Sequence, residues 1–229
     1  MVLSGITSAV TATPASVPGL YVGTSGWSYP TWRPGFYPAD VRPPDFLRHY
    51  AERFATVELN TTGYRLPREE LFERWAEQTP AGFLFAPKLN AHRRAALGTF
   101  AERVRLLGAG LGPIRAVVTS ARDEGLLALV LGSFEPSVQL ALDLRHDSWD
   151  GVEPTLPPNA VRVNALDGDA SFRYLRLREP PYSEKELRAW AGRLRPLLDE
   201  GVRVYCYFKH EDEPTGPAYA ARLLELLAG

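Results

Sequence analysis

One cysteine, Cys206, stands in a chain of 229 residues. That scarcity excludes an intrachain disulfide and an all-cysteine zinc cage. It fits a reducing compartment, and a cytoplasmic location is the expectation. Neither sign of charge dominates, since 26 basic residues face 27 acidic ones for a formal net charge of −1. The molecule as a whole is therefore no generic polyanion binder, and any attraction for phosphate or nucleic acid must come from a local patch. No run approaches the ~18 apolar residues of a membrane-spanning helix, so no membrane partner is expected. Residues Met1 to Gly19 are uncharged and lack the basic start and compact apolar core of a secretory signal. They read as a loose tail. Several catalytic signatures are missing too: there is no GxSxG elbow, no P-loop, and no HxH or HExxH pair.

What is present is ordinary for a soluble globular protein, with 45% apolar and 23% charged residues, enough for a full core. Eight segments read as strands. They are Leu20 to Gly23, a strand opening at Thr56, Phe83 to Lys88, Ile114 to Thr119, Val138 to Arg145, Val161 to Asn164, Phe172 to Arg178 and Arg203 to Lys209. Helical stripes fall between most of them. Asp45 is placed to cap the first, with Phe46, Leu47, Tyr50, Ala51 and Phe54 on its apolar face. Others run from Glu69 to Gln78, about Thr99 to Leu107, and Glu124 to Leu131. Ser183-Glu184-Lys185-Glu186 is a capping box opening a helix to about Asp199, and Pro217 starts a last one to Leu227. Asp147 to Asn159 holds too much proline and glycine for a helix. Strands alternating with helices predict a (β/α)8 TIM barrel, with helices shortened or missing around strands five to seven. A single domain over residues 20–229 is expected.

The strand faces point to a site. The apolar faces, Val57/Leu59, Leu140/Leu142/Leu144, Val161/Val163, Leu175/Leu177 and Val204/Cys206/Phe208, are assigned outward against the helices. The opposite faces then hold Glu58, Asn60, Lys88, Thr119, Asp143, Arg145, Asn164, Arg176, Arg178, Tyr205, Tyr207 and Lys209. A sealed core does not tolerate so many unpaired charges, because each costs several kcal/mol of desolvation. Cations outnumber carboxylates in this set, so an anionic ligand is the natural completion. A structural ion-pair network without a ligand is the plainer alternative.

Single motifs say less. Thr24-Ser25-Gly26 follows a strand and offers backbone N–H groups to an oxyanion, although taken alone it reads as a tight turn. The aromatics Trp27, Tyr29, Trp32, Phe36, Tyr37 and Tyr64 gather on the first two loops, to stack on a ring or to form a small core of their own. His210-Glu211-Asp212-Glu213 is metal-ligand material, but adjacent loop residues seldom face one ion. His92 and His146 have no zinc spacing. No cofactor is expected, and ligand spacing gives a divalent metal no support.

Gly23-Thr24-Ser25-Gly26-Trp27-Ser28-Tyr29 with Phe36-Tyr37-Pro38, and Val57-Glu58-Leu59-Asn60 leading to Tyr64-Arg65-Leu66-Pro67, resemble the YecE-like family, domain of unknown function 72. Leu142-Asp143-Leu144-Arg145-His146-Asp147-Ser148-Trp149 and Tyr205-Cys206-Tyr207-Phe208-Lys209-His210 extend the match. The resemblance implies a TIM barrel and supplies no reaction. Against the family pattern, Asp143 replaces a usual glutamate, and Arg176-Leu177-Arg178-Glu179 replaces Arg-Leu-His-Gly. Val118-Thr119-Ser120-Ala121 replaces Gln-Leu-Pro-Pro.

The resulting expectation is an enzyme or binding protein for a small anionic, phosphorylated ligand. Lys88, Arg145 and Arg176 would hold the anion, Glu58 would act as general acid/base, Asn60 would orient the substrate, and Asp143 would tune the cations or bind a metal if one is present. Thr24, Ser25, Trp27, Tyr64, Tyr207, Lys209 and His210 complete the candidate ligand-binding set. The alternative is a nucleic-acid-binding or repair-associated module, using the aromatic loops with Arg33, Arg65, Arg93 and Arg94.

Overall fold

Strands alternate with helices over most of the chain because apolar residues switch between a period of two and a period near 3.6. The computed structural model describes residues 17–210 and 212–229; the tail expected at Met1 to Gly19 falls mostly outside them. The strands are β1 Leu20–Thr24, β2 Thr56–Leu59, β3 Leu84–Asn90, β4 Ile114–Val118, β5 Leu140–Leu144, β6 Ala160–Arg162, β7 Phe172–Leu177 and β8 Arg203–Phe208. The helices are α1 Phe46–Ala51, α2 Glu69–Glu77, α3 Leu97–Val104, α4 Glu124–Gly132, α5 Glu184–Asp199 and α6 Thr215–Ala228. Between β5 and β6 stand two single 3-10 turns, Asp147–Trp149 and Glu153–Thr155, and among the described residues no helix joins β6 to β7.

Every pairing within a sheet is parallel, but the strands form two sheets: β2-β3-β4-β5-β6 and β1-β8-β7. One continuous closed ladder, as a barrel would have, is not what the pairing gives. At the first seam β1 and β2 approach so closely that a Cβ on Gly23 would stand 2.2 Å from the Thr56 carbonyl oxygen. A tyrosine replaces the ladder there. The Tyr50 hydroxyl accepts from the Thr24 N–H at 2.8 Å and donates to the Thr56 carbonyl at 3.1 Å. At the second seam Asn164 does similar work. Its backbone is left-handed (φ 69°), a conformation asparagine tolerates better than most residues. Its N–H donates to the Tyr174 carbonyl (2.9 Å), and its side-chain oxygen accepts from the Arg176 N–H (2.7 Å).

A large core lies between strands and helices, built on residues such as Val57, Leu59, Leu142, Leu175, Cys206 and Phe208. A smaller one fills the opposite strand faces: Ala86, Ala141, Val161, Phe172, Tyr174, Tyr205 and Tyr207, with Val163 against it. Val161 and Val163 therefore point inward, contrary to their outward assignment. The inner face has an apolar floor beneath its polar end, so an apolar side chain does not by itself mark the helix side. Where a helix is missing, the loop packs for itself. Trp149 and Val152 are fully buried over β5, the indole donates to the Ser120 carbonyl, and Arg162 ties the loop through Asp150 and Glu153. Each such buried side chain contributes about 1.5–3 kcal/mol.

Helix starts follow the sequence with one exception. Ser183 and Glu186 form the reciprocal capping box, and Asp123 caps α4 through the Leu126 N–H. Asp45 makes no side-chain cap; a 3-10 turn, Pro43–Asp45, runs directly into α1 instead. No helix among the described residues is long and apolar enough to cross a membrane.

Candidate functional site

The polar face is organised around Arg115 of β4, which the sequence reading passed over. Its side chain is 1% exposed and reaches three acceptors. Nη1 donates to Asp143 Oδ2 at 2.6 Å and Nη2 to Asn60 Oδ1 at 3.1 Å. Nε lies 2.8 Å from Glu58 Oε2, as an ion pair without hydrogen-bond alignment. The register explains the meeting: Glu58 of β2 sits opposite Ala86 of β3, Lys88 opposite Arg115, and Val117 opposite Asp143. Small or apolar neighbours leave room for the long guanidinium to cross the inner face.

Two more arginines complete the cluster. Arg176 Nε binds both Glu58 oxygens, at 2.9 and 3.2 Å, and the Tyr174 hydroxyl donates to Oε2 at 2.8 Å. Arg145 binds Asp143 through Nε (3.3 Å) and Nη2 (3.1 Å). Burial alone would push the Glu58 carboxyl up, but Arg115, Arg176 and the Tyr174 hydroxyl outweigh it and hold the group below the usual carboxylate range. Asp143 behaves likewise: burial opposes ionisation, and Arg145 and Arg115 overcome it. Burial would lower Arg115, yet Glu58, Tyr174 and Asp143 raise it further. Burial, then the Glu58 charge, drives the Tyr174 phenol far up. All of these acids and bases stay in their charged or neutral forms at neutral pH. Held below the usual carboxylate range, Glu58 suits an electrostatic anchor; it is a poor proton acceptor and at neutral pH holds no proton to give as an acid.

Lys88 joins from β3. Its stem passes Gly63, where a Cβ would come within 2.8 Å of Lys88 Cγ and Cδ, and its ammonium lies 3.9 Å over the Tyr64 ring. Tyr64 is 72% exposed, and its phenol is lowered by the adjacent ammonium. On the other side, His210 stacks on Tyr29 at 4.5 Å, and its Nδ1 and backbone N–H both contact Ser25 Oγ, at 3.2 and 3.0 Å. Burial, then Arg176 and Lys209, lower the His210 imidazole. Tyr29 donates to the Ser25 carbonyl, and burial followed by the Glu58 charge pushes its phenol to about 12. Asn60 Nδ2 reaches the same carbonyl at 3.3 Å.

Other candidates lie elsewhere. Tyr207 is buried with its hydroxyl on Thr56 Oγ1 at 2.7 Å. Thr24 is buried at the first seam, and the N–H groups of Thr24, Ser25 and Gly26 go to Tyr50, Phe208 and Thr24 respectively. No N–H of that turn is left for an oxyanion. Lys209 is exposed, beside a shallow depression shared with His210, Asp212 and Glu213; Glu211 lies outside the described residues. The aromatic loop is largely its own core: Trp32 and Tyr37 are fully buried, and Tyr37 stacks on Phe46 at 3.9 Å. Among the described residues no group of three or more His, Cys, Asp or Glu is arranged to hold a metal.

A cleft of about 400 Å³ opens beside the cluster. Pro43, Pro44 and Leu47 line it together with Leu71, Arg74 and Trp75 of α2 and the following Gln78. Trp27 and Tyr29 line it as well, and its inner end reaches Glu58 and Asn60.

The family profile described as Protein of unknown function DUF72 matches residues 21–229. The chain belongs to the DUF72 family. It is similar to the UPF0759 protein YecE of Escherichia coli strain K12, with 41% identity over 73 residues. That match covers 31% of this chain and 24% of YecE, about a quarter of the relative's length. The crystal structure of a DUF72 family protein from Enterococcus faecalis V583 aligns with a TM-score of 0.73 at 14% identity, over 91% of this chain and 97% of that one. At this identity the likeness concerns the fold alone. In this DUF72 protein the residues missed from sequence are Arg115 and Tyr174. Strand alternation held the signal for both, since Arg115 shares a face with Thr119 and Tyr174 with Arg176.

Proposed function

We propose that this DUF72 protein binds a small anionic, phosphorylated ligand at the C-terminal ends of its strands, in a (β/α)8 barrel whose ladder has two seams. One observation carries the reading. Three guanidinium groups, Arg115, Arg145 and Arg176, share two carboxylates, Glu58 and Asp143, and Arg115 alone of the three contacts both. The Lys88 ammonium lies nearby over the Tyr64 ring. Among the described residues, Arg145 Nη1 and both terminal nitrogens of Arg176 make no hydrogen bond to protein. Guanidinium groups with free forks bind phosphate by paired charge-assisted hydrogen bonds. Glu58 then anchors Arg176.

Nucleic acid has less support. Arg94 pairs with Asp123 at 2.8 Å, Arg93 donates to the Tyr64 carbonyl, and the aromatic loop is mostly packed.

The test is a thermal-shift and calorimetric titration with inorganic phosphate, phosphorylated sugars and short oligonucleotides, at low and moderate salt. A ligand bound to the native state must raise Tm. The expected result is a shift with phosphate compounds that is lost in Arg145→Met. The Arg145 side chain is 40% exposed, and the melting curve of the variant without ligand checks its fold. No shift with any phosphate compound at millimolar concentration and low salt overturns the reading.

A further inference from the structure

We propose that the cleft between α1 and α2 seats the organic half of the ligand, and that this half is a hydrophobic ring, so that the ligand is a phosphate ester of a ring-bearing alcohol. The inference rests on the anion-binding reading above and adds the class of molecule.

Three observations support it. The first is continuity. Glu58 closes the inner end of the cleft and is 2.9 Å from Arg176 Nε; Asn60 stands beside it, 3.1 Å from Arg115 Nη2. Tyr29 belongs to both parts, lining the cleft while its ring stacks on His210. A ligand in the cleft therefore ends next to the guanidinium cluster. The second is chemistry. Prolines, leucines and two tryptophans make up much of the walls, with Arg74 and Gln78 on the α2 side, Ser28 at an exposed position, and Glu58 and Asn60 at the inner end. A ring gains by leaving water along the apolar part of these walls. The third is size. About 400 Å³ falls in the ~300–1,000 Å³ range of small-molecule sites, far more than inorganic phosphate fills. The side chains that shape the cleft are fixed: Trp27 packs edge-on against Trp75 at 5.4 Å, and Trp75 stacks on Phe85 at 6.3 Å. The cleft is therefore built in advance of any ligand.

The test compares Kd values by calorimetry for methyl phosphate and phenyl phosphate on the full chain. Phenyl phosphate is expected to bind at least tenfold more tightly. Leu71→Asp, on the half-buried lip of α2, should remove that advantage while leaving methyl phosphate binding within twofold. Ser28→Trp, at an exposed lining position, should do the same by filling the cleft, and it guards against a helix defect in the first variant. Equal binding of the two esters overturns this inference and leaves the anion site standing. An advantage that survives both variants overturns it as well, because the ring then lies elsewhere. If neither ester binds, the anion reading fails and takes this one with it.

Discussion

Replacing Arg115 by methionine tests the centre of the site. The guanidinium is 1% exposed and sits between two carboxylates that are 0% and 5% exposed. Removing one partner of a buried ion pair costs about 3–5 kcal/mol, because the other charge is stranded. Here Glu58 keeps Arg176 and Tyr174, and Asp143 keeps Arg145. The lower end, about 3 kcal/mol, is therefore expected. For a chain of this size that lowers Tm by roughly 6–12 °C. The pH dependence adds a second readout. Glu58 and Asp143 are lowered in the folded protein, so their stabilisation is complete above their unfolded values of ~4.3 and ~3.9 and fades as pH falls through the folded ones. Without Arg115 the folded values rise toward the unfolded ones, and the variant loses less on acidification. The Tm gap between wild type and Arg115→Met should narrow steadily below about pH 5. Melting curves from pH 7 down to the acid limit measure both effects. A gap under about 2 °C at pH 7, or one that does not change with pH, refutes the network as a source of stability.

Two further substitutions probe the surroundings. Gly63→Ala puts a methyl 2.8 Å from the Lys88 stem, so calorimetry should show phosphate binding weakened about tenfold, equivalent to ~1.4 kcal/mol, and unchanged affinity would show that Lys88 does not contact the anion. Tyr50→Phe strands the buried Thr24 N–H at the first seam and should cost about 1–3 kcal/mol by chemical denaturation; a neutral effect would mean the phenol does not hold β1 to β2.

Much of this was legible in the sequence. Strand positions, most helix spans and the thinning around β5 to β7 followed from periodicity and from proline and glycine content. Glu58, Lys88, Asp143, Arg145 and Arg176 were placed correctly on the inner face, because polar residues alternating with apolar ones have few other places to go. Arg115 was lost inside Ile114-Arg115-Ala116-Val117-Val118, where four apolar residues read as a plain buried strand. Its importance lies in side-chain reach across neighbouring strands, which one strand's pattern does not encode. Val161 and Val163 were misassigned by the converse error of taking every apolar face for the helix side. The roles of Thr24 and Tyr207 depended on hydrogen-bond partners such as Tyr50 and Thr56, distant in sequence and invisible to any local reading.

The seams also bear on the order in which the protein assembles. The sheet β2 to β6 joins only strands that are consecutive in the chain, so each new pairing closes a short loop. The other sheet needs the earliest strand beside the latest, with Leu20 paired to Val204, a contact whose closure entropy is far larger. The five-stranded sheet can thus form as synthesis proceeds, while β1 waits for β8. When the two sheets finally meet, Tyr50 at one seam and Asn164 at the other act as latches. Glu58 comes from the early sheet and Arg176 from the late one, so their ion pair forms only after that last step.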